Sequence, residues 1–72
     1  MAQAALAADI GGTFTDVVVE ANGQRFATKL LTTYAAPEAA VLEGAERVLA
    51  EAGIGYGDLS AVIHGATLAT NA

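Results

Sequence analysis

Asp9-Ile10-Gly11-Gly12-Thr13-Phe14-Thr15-Asp16 gathers the residues of this chain best suited to chemistry. Two adjacent glycines let a backbone approach an anion closely and aim its N–H groups at it. The hydroxyls of Thr13 and Thr15 add donors at the same place. Asp9 supplies a hard oxygen ligand of the kind Mg²⁺ takes while keeping several of its waters. Together these suit the holding of a metal-bound phosphate. Asp16 reads either as a plain turn-to-strand residue or as a group that orients the threonine hydroxyls or positions a substrate. The loop has no lysine and so is not a Walker A loop. No helix follows it, which also separates it from the dinucleotide-binding fingerprint.

A second polar group closes the chain, His64-Gly65-Ala66-Thr67-Leu68-Ala69-Thr70-Asn71-Ala72, and it contains the single histidine. Read as bare residues, His64 is a strand-end imidazole bonded to a nearby carbonyl. Thr67, Thr70 and Asn71 are natural N-terminal caps. None of them defines a site by itself.

The elements that must position these groups follow from apolar patterning and turn residues. Ala4 to Ile10 reads as a first strand and Thr15 to Glu20 as a second, joined by the glycine turn. Val17-Val18-Val19 is consecutive, as in a strand covered on both faces. Asn22-Gly23 is a strong hairpin signal, since both residues tolerate positive φ. A third strand, Arg25 to Leu31, places Phe26, Thr28 and Leu30 on one side. Thr32 to Ala36 reads as a connector. Pro37 suits the first turn of a helix and Glu38 the positive end of its dipole. Val41, Leu42, Ala45, Val48, Leu49 and Ala52 then form an apolar stripe at helical spacing. Glu43, Glu46, Arg47 and Glu51 fall on a solvated face, and Gly53 is a natural C-cap. The glycine-rich stretch from Gly53 to Asp58 reads as a loop, without the Lys-Ser or Lys-Thr of a phosphate loop. Ala61 to Ile63 is a fourth strand, and the residues after it open a second helix.

Composition narrows the classes. Seventy-two residues allow one domain at most, with 54% hydrophobic residues and mean hydropathy +0.47. That is high for so small a core, and it points to surface meant to be covered by more protein. The net charge is −5, with three basic and eight acidic residues, so the basic footprint of a nucleic-acid or anionic-membrane binder is missing. No apolar stretch approaches the ~20 residues of a membrane span. The absence of cysteine removes a disulfide framework and thiolate chemistry. With no basic leader at the N-terminus, these features imply a cytoplasmic location.

The element order β-β-β-α-β-(α) is that of a partial ribonuclease-H-like subdomain, the α/β fold of the actin- and hexokinase-like ATPases. A full subdomain has five strands and helices on both sheet faces. Four strands and one complete helix leave one face bare.

The octet at 9–16 and the segment at 64–72 together resemble the N-terminal region of the hydantoinase/5-oxoprolinase family. That family includes N-methylhydantoinases and acetone carboxylase subunits. Its opening pattern is Asp-Ile-Gly-Gly-Thr-Phe-Thr-Asp, followed later by His-Gly-Thr-Thr running into Ala-Thr-Asn-Ala. Ala66 departs from the pattern, where the family usually has threonine. The resemblance implies an incomplete N-terminal segment, residues 1–72, of an ATP-dependent cyclic-amide hydrolase. In such an enzyme Asp9 would serve Mg²⁺, and Gly11, Gly12, Thr13, Phe14 and Thr15 the phosphates of ATP. Asp16 and His64 would lie near the reacting group, with Thr67 and Asn71 toward the substrate. The implied partners are a small cyclic amide and the remainder of the polypeptide or a partner subunit. Alternatives are a ketone carboxylase subunit, a small-molecule kinase, or a chain that has no catalysis when isolated.

Overall fold

The structure, a computed structural model, describes the backbone of residues 4–65. The elements are β1 (Ala4–Ile10), β2 (Phe14–Ala21), β3 (Gln24–Leu31), α1 (Pro37–Ala52), a short 3₁₀ turn (Tyr56–Asp58) and β4 (Leu59–Gly65). They build one mixed sheet of order β3-β2-β1-β4. β1, β2 and β3 are an antiparallel meander, whereas β4 returns to pair parallel with β1. A parallel neighbour needs a crossover, and α1 lies in it. The Ser60 hydroxyl fastens the start of β4 by donating to the Ala4 carbonyl at 2.9 Å.

α1 packs mainly across β2 and β3. The core lies between, with Leu6, Ala8, Val17, Val19, Ala45, Val48 and Leu49 all buried. Strand alternation assigns the rest: Phe26 and Leu30 pack onto the core from β3. The helix begins at Pro37 and ends at Gly53, whose left-handed φ of 75° closes it with N–H bonds back to the last turn.

Two expectations about packing need correction. Leu42 was placed on the buried stripe but is 57% exposed. Ala40 and Gly44 are buried instead, so the contact stripe is rotated toward small residues. At Gly44 a Cβ would lie 2.5 Å from Val17 Cγ2 and 2.8 Å from Leu30 Cδ1. The missing side chain is what lets the helix come this close to the sheet. The valine run, expected to be covered on both faces, is covered on one. Val17 and Val19 are buried beneath α1, while Val18 on the opposite face is partly accessible. Among the described residues nothing packs over that opposite face. The second helix anticipated after β4, together with Ala66, Thr67, Thr70 and Asn71, lies outside the described residues.

Candidate functional site

The hairpin between β1 and β2 sets the site. Its register pairs Ile10 with Thr15 and Asp9 with Asp16. Paired residues share a face, and alternation sends Asp9 and Asp16 to the open face while Thr15 goes to the helix side. β3 extends the row, because Asp16 pairs with Lys29. The Lys29 ammonium lies 3.3 Å from Asp16 Oδ1 and 5.3 Å from the centre of the Phe14 ring. On the other flank, Gly65 of β4 pairs with Asp9 and brings no side chain to crowd it. An open trough is lined here by Ala7, Asp9, Asp16, Val18, Ala27 and Ile63.

Like charges directly opposite in a sheet repel. Lys29 offsets part of that repulsion from one side, and a bound cation would offset more. Among the described residues no cluster of three or more metal-ligating side chains occurs. The donor set among the described residues is two carboxylates. It fits Mg²⁺, which is held by one or two carboxylates, waters and substrate phosphates rather than by an all-protein cage.

The glycine turn sits at the end of this row. Gly11 N–H donates to the Phe14 carbonyl at 2.9 Å, closing the hairpin. The N–H groups of Gly12 and Thr13 make no backbone hydrogen bond among the described residues. Neither glycine has a positive φ. The connector after β3 holds the turn from behind. Thr32 N–H donates to the Thr13 carbonyl at 2.8 Å. Thr32 Oγ1 donates to the Gly11 carbonyl at 3.0 Å, and the Tyr34 hydroxyl donates to the Gly12 carbonyl at 2.6 Å.

These contacts revise the sequence reading of two residues. Thr15, expected to offer a hydroxyl to a phosphate, is fully buried and lies 2.9 Å from Thr32 Oγ1. Because the single Thr32 proton goes to Gly11, Thr15 must be the donor between the two hydroxyls. Its proton is committed inside the protein, and Thr15 supports the turn from the core. Asp16, expected beside the threonine hydroxyls, faces away from Thr15 and toward Asp9. Thr13 is exposed, and Phe14 is 44% exposed. The backbone of His64 pairs with Ala8, one position from the Asp9–Gly65 pair. Thr67 and Asn71 lie outside the described residues.

Sequence reasoning passed over Thr32, Tyr34 and Lys29. The signal for all three was the Asn22-Gly23 turn, which fixes the register of β3. A strand returning antiparallel to β2 must deliver its last residues, and the connector after them, to the first turn.

The described residues form a mixed α/β sheet of actin-like fold, with a carboxylate pair and a glycine turn at one end of the first hairpin. The chain's backbone resembles that of YeaZ from Pseudomonas aeruginosa, with a TM-score of 0.72 at 21% identity. The likeness covers 88% of this chain and 28% of that one, so the chain spans under a third of this relative's length. No curated protein matches in sequence. Residues 5–72 match the family described as the hydantoinase/oxoprolinase N-terminal region, and the chain belongs to that family. No helix among the described residues is long and apolar enough to cross a membrane.

Proposed function

We propose that this chain is the phosphate-binding segment of an ATP-dependent cyclic-amide hydrolase of the hydantoinase or 5-oxoprolinase type. The observation that carries the reading is the register of the first hairpin. It sets Asp9 opposite Asp16 on an open face, beside a turn whose Gly12 and Thr13 N–H groups make no backbone hydrogen bond among the described residues. In this reading Gly12 and Thr13 N–H groups, with the exposed Thr13 hydroxyl, receive phosphate oxygens. Asp9 and Asp16 would hold Mg²⁺, which when bound neutralises charge on the phosphates. Lys29 balances Asp16 and brings positive charge to the rim.

ATP would transfer its γ-phosphoryl group to the ring amide oxygen, releasing ADP and making the carbon a better electrophile. Water then adds to that carbon and the ring nitrogen leaves; a second water releases phosphate. The chain's own contribution is positioning and charge stabilisation. The pairing of the His64 backbone with Ala8, one position from Asp9, supports reading His64 as a group near the reacting centre. The substrate pocket belongs to the rest of the protein, to which this segment supplies one wall.

The test incubates the full-length protein that carries this segment with Mg·ATP and, separately, 5-oxoproline, hydantoin, a ketone with bicarbonate, and a sugar. ATP-dependent ring opening is the expected result. Bicarbonate-dependent consumption of the ketone would overturn it in favour of the carboxylase branch, and a stable phosphorylated sugar in favour of a kinase. No nucleotide turnover with any of them would overturn the catalytic reading.

A further inference from the structure

Thr32 and Tyr34 have no place in the chemistry above, yet both reach the one backbone segment that does. Their hydroxyls take consecutive carbonyls, Gly11 and Gly12, from the same connector. In a trans peptide the C=O and the following N–H point in opposite directions, and no peptide bond among the described residues is cis. Holding the Gly11 carbonyl toward Thr32 therefore turns the Gly12 N–H away from Thr32. Holding the Gly12 carbonyl toward Tyr34 does the same for the Thr13 N–H. A Gly-Gly peptide rotates easily, because no Cβ opposes either orientation. Left to itself, the Gly11–Gly12 plane would also sample the reverse orientation, with its carbonyl aimed at an incoming anion; the Gly12–Thr13 plane, bounded by the Cβ of Thr13, would rock about its position and blur the aim of its N–H.

We propose that Thr32 and Tyr34 are positioning residues that lock two peptide planes of the glycine turn, so that the Gly12 and Thr13 N–H groups stay aimed at a phosphate oxygen. This rests on the phosphate-binding reading of the turn. The two locks differ in construction. Thr32 is the middle of a relay from the buried Thr15 hydroxyl to the Gly11 carbonyl, so one plane is referenced to the core. Tyr34 is 80% exposed and acts through its hydroxyl alone. The turn has no positive φ, and beyond its own Gly11–Phe14 hydrogen bond its carbonyls are set by these outside contacts.

Tyr34→Phe removes one oxygen and leaves the ring. Thr32→Val removes the relay while keeping side-chain volume, and Thr32→Ser keeps the hydroxyl. Binding of Mg·ATP and of magnesium pyrophosphate is measured by calorimetry on the protein and each variant. In parallel, the ¹⁵N and ¹H shifts of the Gly12 and Thr13 amides are followed, and a thermal melt is recorded for each. Tyr34→Phe and Thr32→Val are each expected to weaken binding about threefold to tenfold, the usual worth of one hydrogen bond. Their Gly12 and Thr13 amide shifts should differ from wild type before any ligand is added. Thr32→Ser should bind like wild type, a rescue that a purely space-filling role would not give. If Thr32→Val fails to fold, Tyr34→Phe carries the test. Wild-type binding with Tyr34→Phe unchanged in both affinity and amide shifts would overturn the lock and leave the phosphate reading standing. Wild-type amides that do not respond to either ligand would overturn the phosphate reading, and the role of the lock with it.

Discussion

Two turns reverse the chain within the same meander, and they do so by opposite means. The turn between β2 and β3 is self-sufficient: Asn22 and Gly23 take φ of 55° and 79°. These are the left-handed values that match the twist of the flanking strands. Among the described residues no side chain is seen to hydrogen-bond to this turn, and a Cβ at Gly23 would meet nothing within 4 Å. The turn between β1 and β2 uses no positive φ and is fixed by a connector some twenty residues away. A turn specified by its own dihedrals is there to reverse the chain. A turn whose carbonyls are held by distant hydroxyls is set by the rest of the fold, and the phosphate-binding proposal gives that support a use.

The strongest way to break this contrast is at the carboxylate beside the first turn. Asp9→Ala is expected to lower ATP-dependent turnover of the protein by about a hundredfold, in the range seen for loss of a group stabilising transition-state charge. Normal turnover would remove Asp9 from the site. Gly44→Ala tests the support that both turns share. Its Cβ would collide with Val17 and Leu30, and the overpacking is expected to cost about 1–3 kcal/mol in chemical denaturation. An unchanged midpoint would mean that the helix can slide away from the sheet without loss. Gly23→Ala sharpens the comparison from the other side. It should lose about 1 kcal/mol of stability through its left-handed backbone alone, with binding of Mg·ATP unaltered. A change in affinity there would mean that the two turns are not functionally distinct. The smallest effect is expected at Lys29→Met. Its bridge to Asp16 is substantially exposed on both sides, so a few tenths of a kcal/mol is the most it should contribute. A melting shift beyond about 4 °C would assign the bridge a larger structural part.

Much of the fold was legible in the residues. β1 ran from Ala4 to Ile10 as read, and Pro37 and Gly53 marked the ends of α1, because proline fixes φ and glycine takes left-handed φ without strain. The helix stripe was misread at Leu42, since hydrophobicity patterns favour large apolar side chains. The contact actually runs over Ala40 and Gly44, whose value lies in having little or no side chain. The stretch expected as a loop contains the 3₁₀ turn at Tyr56–Asp58, tied by Gly55 N–H to the Asp58 carboxylate at 2.9 Å. The candidate site was legible in its parts and not in its arrangement. That Asp9 and Asp16 belong together depends on hairpin register, and that Thr15 points inward depends on which face α1 covers. Thr32 and Tyr34 gain their meaning from the return of β3, a relation between segments that no local pattern contains.

The parallel pairing of β1 with β4 has a consequence for the order of assembly. The meander closes through loops of a few residues, whereas Ser60 meets Ala4 across 56 positions. Closing a longer loop costs more chain entropy, and contacts of long sequence separation slow folding. The hairpin is therefore expected to bring Asp9 and Asp16 face to face early, as a local event. The strand that carries His64 to their flank would dock last, making this flank the part of the site most exposed to local unfolding.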